Sequence, residues 1–434
     1  MKNLAILKDS FREAVDTKVF YFMLGLSCLA ILFIGSLSFK PITVQGEVED
    51  KIGLLNRFVP GEGGPRWAIS DFQQTNDATK PWEGDYHFVF RVHLREHESA
   101  ESAQNVQSVL QMYFPWLRGH MQVAETKSSD PRELLYTVTT HGTTVHALRD
   151  WPHKPALFFG ALPMSIWTGP LGNQLHFVED YLVGWLGAGI AMLVSTIITA
   201  FFIPNMLRKG TVDLLLVKPI HRTTLLIYKF LGGLLFMFLN TVVIVVGIWL
   251  VLGLRSGLWA PGFLVTIFIL TFEFAIFYAV STLFGVLTRS PIVAILVTCF
   301  AWAVLFGVGY GYRFIDATRQ IPSLEPEAAS AGPESPEEKS AQVQRSEPRR
   351  EKLFPNWVYV TADVVHFVLP RLKDLDALMT KLIVRDLLPP DSPERQEVDK
   401  YYASIKWGEN LTVSGVFIGL LVGLACLRFA TTDY

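Results

Sequence analysis

FIPNMLRKGTVDLLLVKPIHRTTLLIYKF, residues Phe202 to Phe230, decides how the rest of the chain is organised. It joins two long apolar runs and crowds Arg208, Lys209, Lys218, Arg222 and Lys229 into a short connection. Basic residues close to span ends set membrane orientation, so a loop this short and basic is expected on the cytoplasmic side. Leu214, Leu215 and Leu216 are predicted to form an apolar patch on a short helix after Thr211, stopped near Pro219, whose ring cannot continue a helix. Such a patch facing the cytoplasm calls for a docking partner.

Outward from this loop, apolar runs long enough to cross the hydrocarbon core, roughly 20 residues each, occur at 20–39, 181–203, 225–254, 263–287, 292–312 and 411–429. The expected fold is therefore an all-α polytopic membrane protein with six transmembrane helices. The third run is long enough to begin inside the basic loop and tilt. Half of the 434 residues are hydrophobic, which agrees with several spans, and the net charge of −2 gives no support to nucleic-acid binding. Cys28, Cys299 and Cys426 all fall within apolar runs and are read as small buried hydrophobes, not as a disulfide framework.

Lys2, Lys8, Arg12 and Lys18 before the first span, Arg289 between the fourth and fifth, and Arg428 after the sixth share one side with the basic loop in this count. Both termini are accordingly expected in the cytoplasm of a bacterial-type plasma (inner) membrane, with the two long loops outside. The alternative for the first run is a signal peptide, with Ser36-Leu37-Ser38 as a small-x-small site ahead of Lys40-Pro41. Against it, Leu4, Leu7, Phe11, Val15 and Val19 recur at helical spacing, predicting an amphipathic interfacial helix over 1–19.

Residues 40–180 change to a water-soluble pattern. Alternation in Tyr86 to Leu94 and in Leu134 to Thr143 reads as strands, and Val106, Val109, Leu110 and Tyr113 share one face of a helix over 101–114. An inserted α+β extracytoplasmic domain between the first and second transmembrane helices follows. Residues 313–353, rich in Pro, Glu, Ser and Ala, lack the apolar surface to fold and are expected to be a disordered external linker. Over 354–410 come external amphipathic helices. One carries Leu372, Leu375, Met379, Leu382 and Ile383, and the WVYVTADVVHFVLP run before it is too short to span and reads as interfacial or partly re-entrant.

GTVDLLLVKPIHRTTLLIYKFLGG, with six spans, an N-terminal amphipathic helix and a short amphipathic element before the last span, resembles the membrane permease of type-two ATP-binding-cassette (ABC) exporters. The likeness covers the membrane core and leaves the external domain unexplained. It implies that the segment 204–224 is a coupling loop seated in a groove of a cytoplasmic ABC ATPase subunit. By position, Gly210 and Thr211 would open the element, Leu214, Leu215 and Leu216 would fill the groove, and Lys218, Pro219 and Arg222 would fix its exit, with Arg208 and Lys209 also counted among the coupling residues. Asn205 and Met206 stand where members of the family often carry an acidic residue. The resemblance also implies a second permease copy or paralogue, alternating access, and export. No GxxxxGK[ST] phosphate loop occurs in the chain, so no cofactor is expected on it; ATP and Mg belong on the partner ATPase, and this chain is expected to catalyse nothing.

Within the spans, Glu273 is expensive in lipid by roughly 2.5 kcal/mol or more and must face protein or a water-filled cavity, with Asn240 as its expected partner. Gly415, Gly419 and Gly423 form a doubled GxxxG for close helix packing, within a subunit or across a dimer seam. Two other functions compete. His93-Leu94-Arg95-Glu96-His97 is an H-x-x-E-H string that would suit a membrane-anchored metallopeptidase, but its first histidine ends a predicted strand, not a helix. The large insert would alternatively suit an ATP-driven mechanical transmitter that moves its external domain instead of carrying a substrate.

Overall fold

The computed structural model describes residues 18–58, 67–76, 80–93, 121–126, 128, 133–142, 147–164, 168–182, 189, 192–207, 221–319, 354–388, 393–403 and 405–432. The expected interfacial helix up to Thr17, the helix over 101–114 and residues 320–353 of the expected linker lie outside the described residues, whereas residues 313–319, expected at the start of that linker, continue the helix Pro291–Arg319.

The chain is mostly helical, with its strands in a separate region. Among the described residues, four helices are long and apolar enough to cross a membrane: Arg222–Ser256, Pro261–Thr288 (a 3-10 turn, Pro261–Val265, leading into an α-helix), Pro291–Asp316 and Trp407–Thr431. Two shorter apolar helices, Tyr21–Gly35 and Met192–Met206, correspond to the first and second expected spans. We label the elements α1 (Lys18–Gly35), α2 (Val44–Phe58), α3 (Leu171–Tyr181), α4 (Met192–Thr199), α5 (Phe202–Met206), α6 (Arg222–Ser256), α7 (Thr266–Thr288), α8 (Pro291–Arg319), α9 (Asn356–Val368), α10 (Leu372–Leu387), α11 (Pro393–Ala403) and α12 (Trp407–Thr431).

The helix ends follow from local chemistry. Gly257 closes α6 in the left-handed region, at φ 76°, with its N–H donating to the Gly253 carbonyl, a common glycine terminator. Arg289 ends α7 at φ 55°, and Pro291 opens α8 where a missing N–H costs nothing. At 35 residues of roughly 1.5 Å rise, α6 exceeds a ~30 Å hydrocarbon core.

Burial sorts the helices. In α7, 72% of the most apolar window lies inside the protein, against 17% in α8 and 22% in α12. Phe274, Ile276, Phe277, Tyr278 and Ala279 of α7 form the centre of the main core, which also takes in Phe230 and Val245 of α6 and Leu375, Met379 and Ile383 of α10. Tyr278 stacks between Phe230 and Phe274, at 5.1 and 5.3 Å between ring centres, and lies over Gly233, where any side chain would strike its phenol. Along α6, Gly247 accommodates Ile31 of α1.

Among the described residues, the strands fall within residues 38–170 and form two antiparallel sheets. One has the order β2 (Trp67–Gln74), β3 (Tyr86–His93), β5 (Glu133–Thr140), β4 (Met121–Thr126). Its alternation buries Tyr86, Phe88, Phe90 and Val92 against Val44, Val48 and Ile52 of α2, as period-two patterning requires. The other sheet, β1 (Ser38–Pro41) beside β6 (Pro152–Leu157), with short strands β7 (Leu162–Pro163) and β8 (Gly169–Pro170), joins this region to α1 and α3. The expected first span therefore stops earlier, at Gly35: Phe39 is pulled into a strand paired with Pro155.

α3 rests on the C-terminal end of α10 through Gly172, where an added methyl would overlap the Leu387 carbonyl oxygen. Gly172→Ala is expected to destabilise the protein by about 1–3 kcal/mol, read as a lower thermal unfolding midpoint in detergent; an unchanged midpoint would contradict this packing.

Candidate functional site

The loop that organises the sequence has two well-anchored ends. Arg208, Lys209, Gly210, Thr211, Leu214, Leu215, Leu216, Lys218 and Pro219 lie outside the described residues. On the way in, Ile203 and Met206 of α5 and Leu207 pack with Leu283 and Val286 of α7; on the way out, Leu225 and Leu226 of α6 join the same cluster with Ala425, Cys426 and Phe429 of α12. A methyl on Gly285 would meet Pro204 at 3.3 Å, which shows how closely α5 rides on α7. Arg222 Nη1 donates to the Thr432 carbonyl at 2.8 Å. That cation sits at the C-terminal end of α12, where the helix dipole favours positive charge. The two ends of the loop therefore share one apolar cluster with α5, α6, α7 and α12.

The opposite end of the bundle is closed by α10, which packs on α3, α7, α8, α11 and the Pro261–Val265 turn. Its buried face is not purely apolar. Lys373 Nζ lies 2.8 Å from Asp376 Oδ2 and over the rings of Tyr310 and Phe306, at 4.5 and 4.9 Å. Arg313 donates to the Lys373 carbonyl, Thr380 Oγ1 to Asp180 Oδ1 at 2.6 Å, and the Gly262 N–H to Asp386 Oδ2 at 2.5 Å. Arg371 bridges outward to Glu409 at 3.0 Å, and Asn410 donates to the Arg371 carbonyl, which ties α10 to the start of α12.

Burial and neighbouring charge set the protonation of this cap. Burial pushes the Asp376 carboxyl up, with Lys373 opposing it. Burial alone would lower Lys373, but Asp376 and the Tyr310 phenol hold it above its ordinary value, so the ammonium is the firmly charged member of the pair. Burial first and the Asp386 carboxylate second raise Glu179 to about 8. His366 Nε2 lies 3.7 Å from Asp374, yet burial and then Arg371 lower its pKa to about 4, so the contact is not an ion pair at neutral pH. The ring instead stacks on Tyr312 at 3.6 Å.

Glu273 is 2% exposed, and its Oε1 has no hydrogen-bond partner. Asn240 is not its partner: Asn240 Oδ1 accepts from Ser27 of α1 at 3.3 Å, because α1 runs along the face of α6 that carries it. The charges acting on Glu273 come from Asp376 and Lys373 of α10. The helical wheel of α10, read for its leucines, gave no hint of this. The available signal was Lys373, Asp376 and Thr380, spaced to share one face with buried residues.

Gly415, Gly419 and Gly423 face outward; a methyl added at any of them would meet nothing within 4 Å. His93 of the H-x-x-E-H string closes strand β3, opposite Glu133, so it is not on the helix that a metallopeptidase requires; Glu96 and His97 lie outside the described residues. Among the described residues, no group of His, Cys, Asp and Glu could hold a metal ion.

A helical bundle of this kind, with four helices among the described residues long and apolar enough to cross a membrane, fits a polytopic membrane protein. A family model described as ABC-2 family transporter protein matches residues 103–330, more than half of the chain, and the chain belongs to that family. It is a transmembrane permease of an ABC transporter, in a family that normally works with a cytoplasmic ATPase. The match begins within the strand-bearing region and stops before α9 and α12. No curated protein and no solved structure matches the chain.

Two changes test the polar cap. Lys373→Met leaves a buried carboxyl without its cation and is expected to cost about 3–5 kcal/mol, most of it recovered in Lys373→Met with Asp376→Leu, measured by chemical unfolding in detergent. An acid whose pKa rises from 4.5 unfolded to about 8 folded favours the fold below pH 4.5 and loses that contribution as pH climbs to about 8. Glu179→Gln is therefore expected to flatten the fall in melting temperature across that window and to raise stability at pH 8; a fall as steep as in the parent protein would contradict the assignment.

Proposed function

We propose that this permease crosses the membrane six times, with both termini and the loop 208–220 in the cytoplasm, and that the loop docks on a separate ABC ATPase. The observation that carries this is the cluster at the loop's two ends, where Leu207, Leu226, Val286 and Phe429 join α5, α6, α7 and α12. A push delivered to the loop reaches every one of those helices through packed side chains, which transmit force because close-packed interiors barely compress. The basic residues Arg208, Lys209 and Lys218 favour the cytoplasmic side. α1 and the run 181–203, of which α4 is part, supply the two further crossings, and the strand-bearing region between them is then an inserted extracytoplasmic domain.

In this reading ATP and Mg bind the partner, closure of the ATPase pair tilts α6 and its neighbours, and the bundle shifts between two arrangements. Export is the direction that the type-two resemblance favours. Two permease subunits, identical or paralogous, form the working unit, and the open glycine stripe of α12 is a surface on which helices could approach closely.

Co-purification from membranes tests the docking. Leu215→Asp, which puts a carboxylate into an apolar contact, is expected to reduce recovery of a partner carrying a phosphate loop by about tenfold, roughly 1.4 kcal/mol, while Glu49→Lys on the strand-bearing region leaves it unchanged. An intact permease that recruits no ATPase would overturn the proposal.

A further inference from the structure

The turn between β6 and β7, Phe158-Phe159-Gly160-Ala161, holds two phenylalanines outward in a backbone conformation that phenylalanine avoids. Phe158 and Phe159 have φ of 50° and 58°, followed by Gly160 at 97°. This left-handed region crowds the Cβ of any L-residue larger than glycine. With Leu162 they are 57%, 70% and 53% exposed, so strained backbone here serves only to present three large apolar side chains. Strain of this kind persists where the surroundings hold it, and it clusters at functional positions.

What holds it is the end of a membrane helix. The Phe159 N–H donates to the Ser36 carbonyl at 2.7 Å and the Phe158 N–H to Ser36 Oγ at 3.4 Å, directly after α1 stops at Gly35. Arg255, in the last turn of α6, sets its guanidinium 5.3 Å from the centre of the Phe159 ring while donating to the Leu37 carbonyl and to Ser38 Oγ. Lys40 lies beside Gly160. The turn therefore stands at the level where two membrane helices leave the bilayer. Exposed apolar residues lie close by in sequence to these helix ends, Leu32 and Phe33 near the end of α1 and Leu250 and Leu254 near the end of α6, and exposed Trp259 follows α6.

We propose that this turn is a membrane wedge, with Phe158, Phe159 and Leu162 entering the lipid at the headgroup boundary of the leaflet adjoining the sheets, and Arg255 and Lys40 pairing with lipid phosphate. The chemistry is that of an interfacial belt: aromatic rings at headgroup depth, with long cationic side chains reaching the phosphates from an apolar setting. A lipid surface fits better than a second protein copy, because the apolar side chains stand at the ends of two membrane helices and are flanked by cations that complement phosphate. The wedge pins the β1–β6 sheet to the bilayer surface, so the strand-bearing region cannot swing freely from α1.

Spin labels in the full chain, with Cys28, Cys299 and Cys426 replaced by Ala and the protein placed in phosphatidylcholine nanodiscs, measure the depth. Phe158→Cys and Phe159→Cys are compared with Leu254→Cys on α6 and with Glu49→Cys on α2. The ratio of oxygen to nickel-chelate collisions at 158 and 159 is expected to lie several-fold above that at 49 and close to that at 254. A ratio equal to that at 49 would put the turn in water and overturn the proposal; so would suppression of both collision rates, which would mean burial against protein. If Phe159→Cys does not elute as a folded species, Leu162→Cys provides the same reading. The wedge needs only that α1 and α6 leave the bilayer at these ends, so its failure leaves ATPase docking standing, and failure of docking leaves the wedge standing.

Discussion

The packing of this bundle is organised around α7, the most enclosed of the four long apolar helices among the described residues. Its centre, from Phe274 to Val280, is buried throughout, so the remaining helices take their places from the surfaces it offers. Tyr278, clamped between Phe230 and Phe274 and resting on Gly233, fixes the approach of α6. α8 and α12 cover other sides and leave much of their own apolar surface outward. In water that surface would drive aggregation; in lipid it costs nothing, and inward packing needs only shape.

Because α7 passes through the whole bundle, it connects two chemically different ends. At the loop end its contacts are apolar: Leu283 and Val286 meet α5, α6 and α12. At the other end Glu273 faces the charges of α10, and the cap of Lys373, Asp376, Arg313 and Thr380 closes the bundle with directional bonds.

Much of the architecture was legible in the sequence. Apolar run length marks a span because lipid leaves the backbone no partner other than its own helix; the long runs at 225–254, 263–287, 292–312 and 411–429 each fall within a helix that could cross. Alternation in Tyr86 to Leu94 and in Leu134 to Thr143 was also sufficient, since a half-buried strand repeats every two residues. Neighbours of low apolar content, β4 and the helix α2, were missed because they join the core through only a few side chains each.

The partners of isolated polar groups were not legible. By itself the sequence determined which segments are apolar, which are basic and which alternate, because those properties reside in the residues themselves. It also singled out Glu273 as a group that needs company. Only the tertiary structure decided that Asn240 pairs with Ser27, that the charges beside Glu273 arrive from α10 some hundred residues later, and that Phe158 and Phe159 stand at the end of α1. Those pairings depend on how helices are rotated and stacked around α7. Rotation is fixed by the packing of many side chains at once, and no single stretch of the chain contains it.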